Sequence, residues 1–167
     1  STLYGLPTTG LRFFNVYGPW GRPDAALAIF TRAMLRGEPV PLFNHGQHAR
    51  DFTYVGDIAA GVVQALMHVP EAMGDASAHD AVDGSAAPWR LYNIGRGQGV
   101  QLPAFIEALE AAFGVQARLD LLPKRQGDID ESWADIQSLE AAVGWVPTTT
   151  VQAGGDAWGD WVRTHPA

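Results

Sequence analysis

The sequence predicts an α/β protein in which short strands alternate with helices along the chain. Residues 11–16 (LRFFNV) are mostly apolar, as expected for a strand buried on both faces of a sheet. Beyond them, segments with apolar residues at helical spacing alternate with further short apolar runs. This alternation is typical of layered α/β domains.

The first predicted helix follows the loop GPWGRPD. Pro23 and Asp24 are expected to open it, and Gly37 is expected to end it. Its apolar positions have helical spacing: Leu27, Phe30 and Met34. A short strand at about residues 40–43 is then predicted to lead into the turn NHGQ.

The second predicted helix follows the strand-like run RDFTYVGD. Asp57 closes that run and is expected to be the helix N-cap. One face of the helix is expected to be apolar, with Ile58, Val62, Leu66 and Val69. Residues 74–88 (GDASAHDAVDGSAAP) are rich in Gly, Ala, Asp and Ser, which predicts a flexible surface loop.

The last part of the chain repeats the pattern. A strand RLYNIG is followed by a helix at 103–113 that Gly114 closes, and then by a strand ARLDLL. A short helix at about 136–143 and a terminal helix complete the prediction, the latter carrying Trp158, Trp161 and Val162.

Composition excludes several classes of protein. The 167 residues are 47% hydrophobic and 17% charged, which suits one globular domain with a core. No apolar run of about 18 residues is present, and the first residues lack a basic segment before an apolar core, so neither a membrane span nor a signal peptide is expected. Without cysteines, disulfides and thiolate ligands are excluded, and a cytoplasmic location is expected. The net charge of −7 argues against nucleic-acid binding.

The run NIGRGQGV contains three glycines between a predicted strand and helix, at Gly95, Gly97 and Gly99. A dinucleotide fingerprint needs G-x-G-x-x-G, and here the third glycine comes one residue early. We therefore interpret the run as a glycine-rich loop.

His45 and His48 form an H-x-x-H pair, but they lie in a turn with no third ligand nearby, whereas zinc needs three or four. Both are expected to be solvated turn residues. An acidic cluster in RQGDIDES suits either acid–base chemistry or a solvated loop, and both readings stay open: Asp128, Asp130 and Glu131.

Three arginines stand beside loops or element ends: Arg22, Arg50 and Arg125. Guanidinium groups bind phosphate and carboxylate in a bidentate manner. For each arginine alone, a surface salt bridge is the plainer role, and only convergence in space indicates an anion site. Arg125 is followed by Gln-Gly-Asp, a combination that suits a sugar nucleotide.

Four runs, in this order, resemble the extended short-chain dehydrogenase/reductase family: LRFFNVYGPWGRPD, RDFTYVGDIAAGV, WRLYNIG and RQGD. Within that family they resemble the C-terminal part of NAD-dependent nucleotide-sugar epimerases, above all UDP-glucuronate 4-epimerases. The resemblance implies the C-terminal part of a Rossmann-type NAD(P)-binding fold plus a smaller substrate-binding α/β domain. The late Rossmann elements are expected at about residues 11–18, 51–70 and 91–96, interleaved with a substrate-binding region at about 19–50 and 97–167.

The resemblance also implies roles for individual residues. Asn15 is expected to contact the sugar diphosphate, although uronate epimerases often have Thr there, and Phe13 and Val16 are expected near the nicotinamide of NAD. Two arginines are expected on the diphosphate, and one acid on the nucleotide ribose: Arg50, Arg125 and Asp128. The uronate enzymes carry the G-P-W-G-R-P-D loop, so Arg22 is expected to bind the sugar carboxylate.

The family's catalytic Tyr-x-x-x-Lys and nucleotide-binding glycine loop are expected upstream of Ser1, since no tyrosine here has a lysine four residues on. The chain is therefore expected to be an inactive fragment of an enzyme that inverts C4 of UDP-glucuronate. Alternatives are a UDP-glucose 4-epimerase, a sugar-nucleotide dehydratase or decarboxylase, and a non-catalytic sugar-nucleotide-binding module. A homodimer is possible for the longer protein.

Overall fold

The computed structural model describes residues 1–72 and 86–165. Most of the predicted loop at 74–88 lies outside the described residues. In chain order the elements are β1 (Thr8–Phe13), β2 (Val16–Tyr17), α1 (Ala26–Arg36), β3 (Pro39–Leu42), a 3₁₀ turn (Phe43–Gly46), β4 (Ala49–Arg50), β5 (Thr53–Tyr54), α2 (Val55–Met67), β6 (Trp89–Ile94), β7 (Val100–Gln101), α3 (Leu102–Phe113), β8 (Arg118–Leu121), β9 (Glu131–Ser132), α4 (Gln137–Val143) and α5 (Val151–Thr164).

The strands pair across long sequence distances, mostly in parallel. β1 pairs with β6 in register from Thr8–Trp89 to Phe13–Ile94. β2 pairs with β5 and β3 with β8, both in parallel. β4 lies between β7, to which it is antiparallel, and β9, to which it is parallel. The α/β class predicted from the alternation of elements is confirmed.

Residues 11–16 do not form one strand buried on both faces, so that prediction was wrong. β1 ends at Phe13, whose side chain is 55% exposed. Asn15 has φ 25°, in the left-handed region, and this breaks the strand before β2 begins. Within the described residues, β1 packs mainly on one face, where Leu11 contacts the apolar cluster around Ile94.

α1 begins at Ala26, three residues later than predicted. Pro23 and Asp24 form a turn instead, in which the Ala25 N–H donates to the Arg22 carbonyl at 3.1 Å. The Asp24 carboxylate lies near Arg22 and does not cap the helix. The predicted end is confirmed, because Gly37 adopts φ 65°. The predicted apolar positions are buried: Leu27, Phe30 and Met34.

α2 begins at Val55, so Asp57 lies in its first turn and is not the N-cap. Its carboxylate accepts hydrogen bonds from the Thr149 backbone N–H and hydroxyl, both at 2.9 Å. The predicted apolar face is not the buried one, because Gly61 lets Ile94 and Trp145 approach the helix closely. The helix packs through Ile58, Gly61 and Ala65 instead. Three of the four predicted residues are exposed to a considerable degree: Val62, Leu66 and Val69, the last beyond the helix end.

Two apolar clusters hold these elements together. The larger joins α1, β3, α3 and α5, with buried residues such as Phe30, Phe105 and Trp158. The smaller joins α2, β6 and α4 through Ile58, Ile94 and Leu139. Within the described ranges, no helix is long and apolar enough to cross a membrane.

Candidate functional site

A hollow of about 780 Å³ lies where β1 and β2 end and the loop to α1 begins. In open parallel sheets, ligands bind at the carboxyl ends of the strands. Four residues predicted from the sequence line this hollow together: Phe13, Asn15, Val16 and Arg22. Their grouping is the structural feature that sequence spacing could not provide.

The floor of the hollow is a rigid aromatic cluster. The Phe52 and Phe105 rings stack with centroids 3.9 Å apart, and the Tyr17 ring meets Phe105 edge-on at 5.3 Å. Phe52 is 6% and Phe105 1% exposed, so the cluster belongs to the larger core. A ligand in the hollow therefore rests on packed side chains.

The wall is a strained loop from Gly18 to Arg22. Gly18 has φ 128°, and a Cβ there would lie 2.8 Å from a Val55 methyl group, so only glycine fits. The Gly21 N–H donates to the Gly18 carbonyl at 3.2 Å. At the start of the wall, the Asn15 carbonyl accepts from the buried Thr53 backbone N–H at 3.3 Å, which ties the loop to β5.

Arg22 is the cationic group of the hollow. Its Nε lies 3.6 Å from an Asp24 carboxylate oxygen, and the two side chains are 81% and 72% exposed. An exposed pair at this distance contributes little free energy. The guanidinium therefore remains available for an anionic ligand.

Tyr17 lines the hollow, but it cannot easily act as a base. Burial raises the pKa of its hydroxyl far above the ordinary value. Within the described residues, the hydroxyl contacts the Val151 carbonyl at 3.5 Å, which is long for a hydrogen bond. A buried hydroxyl of this kind has no local sequence signal.

Arg50, Arg125 and Asp128 do not line this hollow. Arg50 donates from Nη1 to the Ala49 and Asp130 carbonyls and from Nη2 to the Ile129 carbonyl. It thereby holds the turn that contains Asp128, whose N–H donates to the Arg125 carbonyl at 3.2 Å. Arg50, Arg125 and Asp128 therefore lie close together, away from the hollow, and we call these three residues the second group.

Arg125 lies over an aromatic ring in this second group. Its guanidinium carbon is 3.5 Å from the centroid of Phe43, a cation–π geometry. Nearby, Lys124 Nζ donates to Asp130 at 2.6 Å, and this bond above all lowers the pKa of the Asp130 carboxyl. The Asn44 side-chain amide also donates to Asp130, at 3.1 Å. The acidic cluster is thus partly neutralised by its neighbours.

His48 is not a solvated turn residue, which corrects the prediction. It is only 7% exposed, because its carbonyl accepts the Leu102 N–H and so draws it under α3. Its buried Nε2 has no hydrogen-bond partner in the described structure. His45 is exposed, as predicted. Among residues 1–72 and 86–165, no three potential ligands lie close enough to hold a metal ion.

The glycine-rich loop after β6 is organised by a buried carboxylate that sequence reasoning missed. Asp51 is completely buried, and it accepts the N–H groups of Arg96, Gly97 and Ala134 at 2.8 to 3.0 Å. Its Oδ1 also accepts from the Thr53 hydroxyl at 2.9 Å. These amides are therefore occupied internally, in agreement with interpreting the run as a loop and not as a dinucleotide fingerprint. The available signal was an acid inside the strand-like run RDFTY.

Comparison with known proteins gives consistent matches. Residues 1–76 match the model of the NAD dependent epimerase/dehydratase family. The uncharacterized 37.6 kDa protein in the cld 5' region of Escherichia coli O111:H- is 45% identical over 98% of this chain and 49% of its own length. A probable UDP-glucuronate 4-epimerase of Rhizobium meliloti (strain 1021) is 40% identical over 95% of this chain and 47% of its own.

Solved structures show the same pattern. The UDP-glucuronic acid 4-epimerase from Bacillus cereus, in complex with UDP-glucuronic acid and NAD, superposes with a TM-score of 0.78 and 28% identity. That match covers 98% of this chain and 48% of the solved one. The chain thus spans about half the length of the curated relatives it matches, and the Rossmann-type α/β class is confirmed. Over that half, the resemblance predicted from the motifs is confirmed as well: this chain is similar to NAD-dependent nucleotide-sugar epimerases of the extended short-chain dehydrogenase/reductase type, in particular to UDP-glucuronate 4-epimerases.

Proposed function

We propose that this chain is the substrate-binding half of an NAD-dependent epimerase that inverts C4 of UDP-glucuronate to give UDP-galacturonate. The observation that carries the proposal is the hollow, which gathers an aromatic floor, an amide and one available arginine at the carboxyl ends of parallel strands. An acidic sugar nucleotide needs this combination of an apolar platform and a cation. Two of the similar proteins, from Rhizobium meliloti and Bacillus cereus, are named as UDP-glucuronate or UDP-glucuronic acid 4-epimerases, which supports the proposal.

Arg22 is the proposed partner of the sugar carboxylate. A guanidinium presents a planar fork that matches a carboxylate, whereas a neutral hexose offers no charge to pair with it. The contact with Asp24 is too weak to neutralise the guanidinium, which stays available to the carboxylate. Asn15, which lines the same hollow, is the proposed contact to the sugar diphosphate.

Phe13 and Val16 fit the nicotinamide end of NAD. Phe13 is 55% exposed and lines the hollow, so it offers a flat apolar face that the described residues leave uncovered. When bound beside Phe13 and Val16, NAD would supply reversible hydride transfer at C4 of the sugar. The residues described here orient the sugar and exclude water from one side of it.

The remaining part of the nucleotide is assigned to the second group of residues. Arg50 uses three N–H contacts on carbonyl oxygens, which leaves at least two of its five donors for a diphosphate. Arg125 is the second proposed diphosphate partner, and Asp128 follows it in the same turn, facing a ribose hydroxyl in the proposal. In the same proposal, residues 11–18, 51–70 and 91–96 are late Rossmann elements, supported by the smaller cluster around Ile94.

In this proposal, the proton acceptor for the C4 hydroxyl comes from outside the described residues. The tyrosine that lines the hollow, Tyr17, is buried and has a raised pKa. We therefore expect residues 1–167 alone to give no turnover. Purified chain that inverted C4 of UDP-glucuronate would contradict this expectation.

The function is tested by substrate preference in the full gene product. Arg22→Gln should lower kcat/KM for UDP-glucuronate by about 10- to 150-fold, the range for a lost charged hydrogen bond. The kcat/KM for UDP-glucose should change by less than about twofold, since that sugar has no carboxylate. Arg118→Gln is the matched control, because this exposed arginine donates to the Gly37 carbonyl, outside the hollow. An equal loss for both substrates would refute the carboxylate assignment.

A further inference from the structure

The loop that carries Arg22 touches the terminal helix through one aromatic side chain. The Trp20 ring centroid lies 5.6 Å from that of Trp161 at 65° and 5.8 Å from that of His165 at 68°. Both contacts are edge-to-face, a favoured geometry for aromatic pairs. Trp161 and His165 are themselves stacked at 4.8 Å and 11°, so Trp20 meets two parallel rings at once.

These two rings are anchored in the core. Trp161 stacks on Trp158 with centroids 5.0 Å apart and an interplanar angle of 18°. Trp158 is 5% exposed, and its indole N–H donates to the buried Thr31 hydroxyl of α1 at 2.9 Å. We call the stack of Trp158, Trp161 and His165 the aromatic ladder. It forms a continuous set of contacts from the core to the loop.

Trp20 needs an external contact to keep its conformation. It has φ 62°, a left-handed conformation that is unusual for a bulky side chain. It is also 81% exposed, so burial does not hold it in place. In the described residues its ring contacts are those with the aromatic ladder. The ladder is thus the feature of the fold that favours this strained backbone.

The position of Trp20 determines where Arg22 lies. Only Gly21 separates the two residues, and the Gly21 N–H closes a turn onto the Gly18 carbonyl. Trp20, Gly21 and Arg22 all line the hollow. A change in the Trp20 backbone therefore moves the start of the Arg22 side chain relative to the sugar.

We infer that Trp161 is a positioning residue: through Trp20 it fixes the loop so that Arg22 meets the sugar carboxylate, and the terminal helix thereby sets the preference for acidic over neutral sugars. This inference rests on the proposed function. Trp161 does not line the hollow, so in this inference it acts through Trp20.

The test measures KM and kcat of the full gene product with UDP-glucuronate and UDP-glucose. Trp161→Leu should raise KM for UDP-glucuronate about three- to tenfold, the range that an aromatic pair supports, with kcat within about twofold. KM for UDP-glucose should stay within about twofold, since Arg22 has no partner on that sugar. A general loss of structure would change both substrates alike, so the split between them identifies positioning.

Substitutions of Trp20 separate ring contact from backbone strain. Glycine adopts φ 62° without strain but has no ring, so Trp20→Gly should raise KM for UDP-glucuronate as much as Trp161→Leu does, and the double variant should raise it no further. Trp20→Phe keeps an edge-on ring, so its KM for UDP-glucuronate should be close to that of the wild-type protein. Trp133→Leu, a half-exposed tryptophan outside the ladder, is the control.

The outcomes are distinguishable. If Trp161→Leu fails to fold, Trp20→Gly carries the test, because Trp20 is exposed. An active wild-type protein whose KM for UDP-glucuronate is unchanged in Trp20→Gly would overturn the positioning inference and leave the proposed function intact. A folded wild-type protein with no activity on UDP-glucuronate would overturn the proposed function, and the inference with it.

Discussion

Removal of the Asp51 carboxylate should loosen two segments at once. This completely buried group accepts hydrogen bonds from the loop after β6, through Arg96 and Gly97, and from Ala134 ahead of α4. It lies next to Arg50, one of the proposed diphosphate ligands. Asp51→Ala and Asp51→Asn remove different parts of this arrangement, which makes the size of each effect informative.

The structure gives the expected magnitudes. In Asp51→Ala the Arg96 N–H keeps one acceptor, because it also lies 3.0 Å from the Thr53 hydroxyl. The Gly97 and Ala134 N–H groups and the Thr53 hydroxyl lose their acceptor, and each unpaired donor costs about 1–3 kcal/mol. We therefore expect a loss of about 3–9 kcal/mol in the free energy of unfolding. In Asp51→Asn the amide oxygen can take the place of Oδ2 and keep the Gly97 and Ala134 donors, so a loss of about 1–2 kcal/mol is expected.

Urea denaturation of the full gene product, followed by tryptophan fluorescence, measures both values. Asp156→Asn is the control, because in the described part of the chain this exposed carboxylate accepts from the Gln152 side chain alone, and the change should alter stability by less than about 0.5 kcal/mol. An Asp51→Ala variant that loses less than about 1 kcal/mol in the free energy of unfolding would refute the assignment of Gly97 and Ala134 as donors to this carboxylate. An Asp51→Asn variant that loses as much as Asp51→Ala would refute it as well.

Two further predictions concern packing and charge. Gly154→Ala should destabilise the protein by about 1–3 kcal/mol in the same assay, because the new Cβ collides with the Tyr17 hydroxyl; Gly155→Ala, whose nearest neighbour would be 3.3 Å away, should cost less. Lys124→Gln should raise the pKa of Asp130 toward its ordinary value in an NMR titration, since the Lys124 hydrogen bond is the main cause of its lowered pKa. A carboxyl group whose pKa is lower in the folded than in the unfolded protein stabilises the folded state at pH values above its unfolded pKa. That stabilisation is lost as the pH falls through the folded pKa, so the stability of Lys124→Gln should depend less on pH in that acidic range. An unchanged Asp130 titration would contradict the assigned cause.

Local chemistry made much of the fold predictable. The end of α1 at Gly37 and that of α3 at Gly114 follow from glycine in the left-handed conformation. The buried positions of α1 follow from helical spacing. The starts of α1 and α2 were less predictable, because Asp24 and Asp57 have cap-like sequence contexts but find other partners, Arg22 and Thr149.

The site was predictable only in part, because its remaining features depend on contacts distant in sequence. The roles suggested for Phe13, Asn15 and Arg22 came from the motif, whereas their meeting in one hollow required the fold. The buried Asp51 depends on amides more than 40 residues away. The aromatic ladder joins Trp20 to residues near the end of the chain. No local pattern encodes such distances, since helical and strand periods report only on neighbours.

The most direct test of the proposed function is an NMR time course of the full gene product with UDP-glucuronate and NAD. We predict that the sugar signals of UDP-glucuronate decrease while those of the C4 epimer, UDP-galacturonate, increase to an equilibrium mixture. An active preparation that inverts C4 of UDP-glucose but leaves UDP-glucuronate unchanged would contradict the uronate assignment and the role proposed for Arg22.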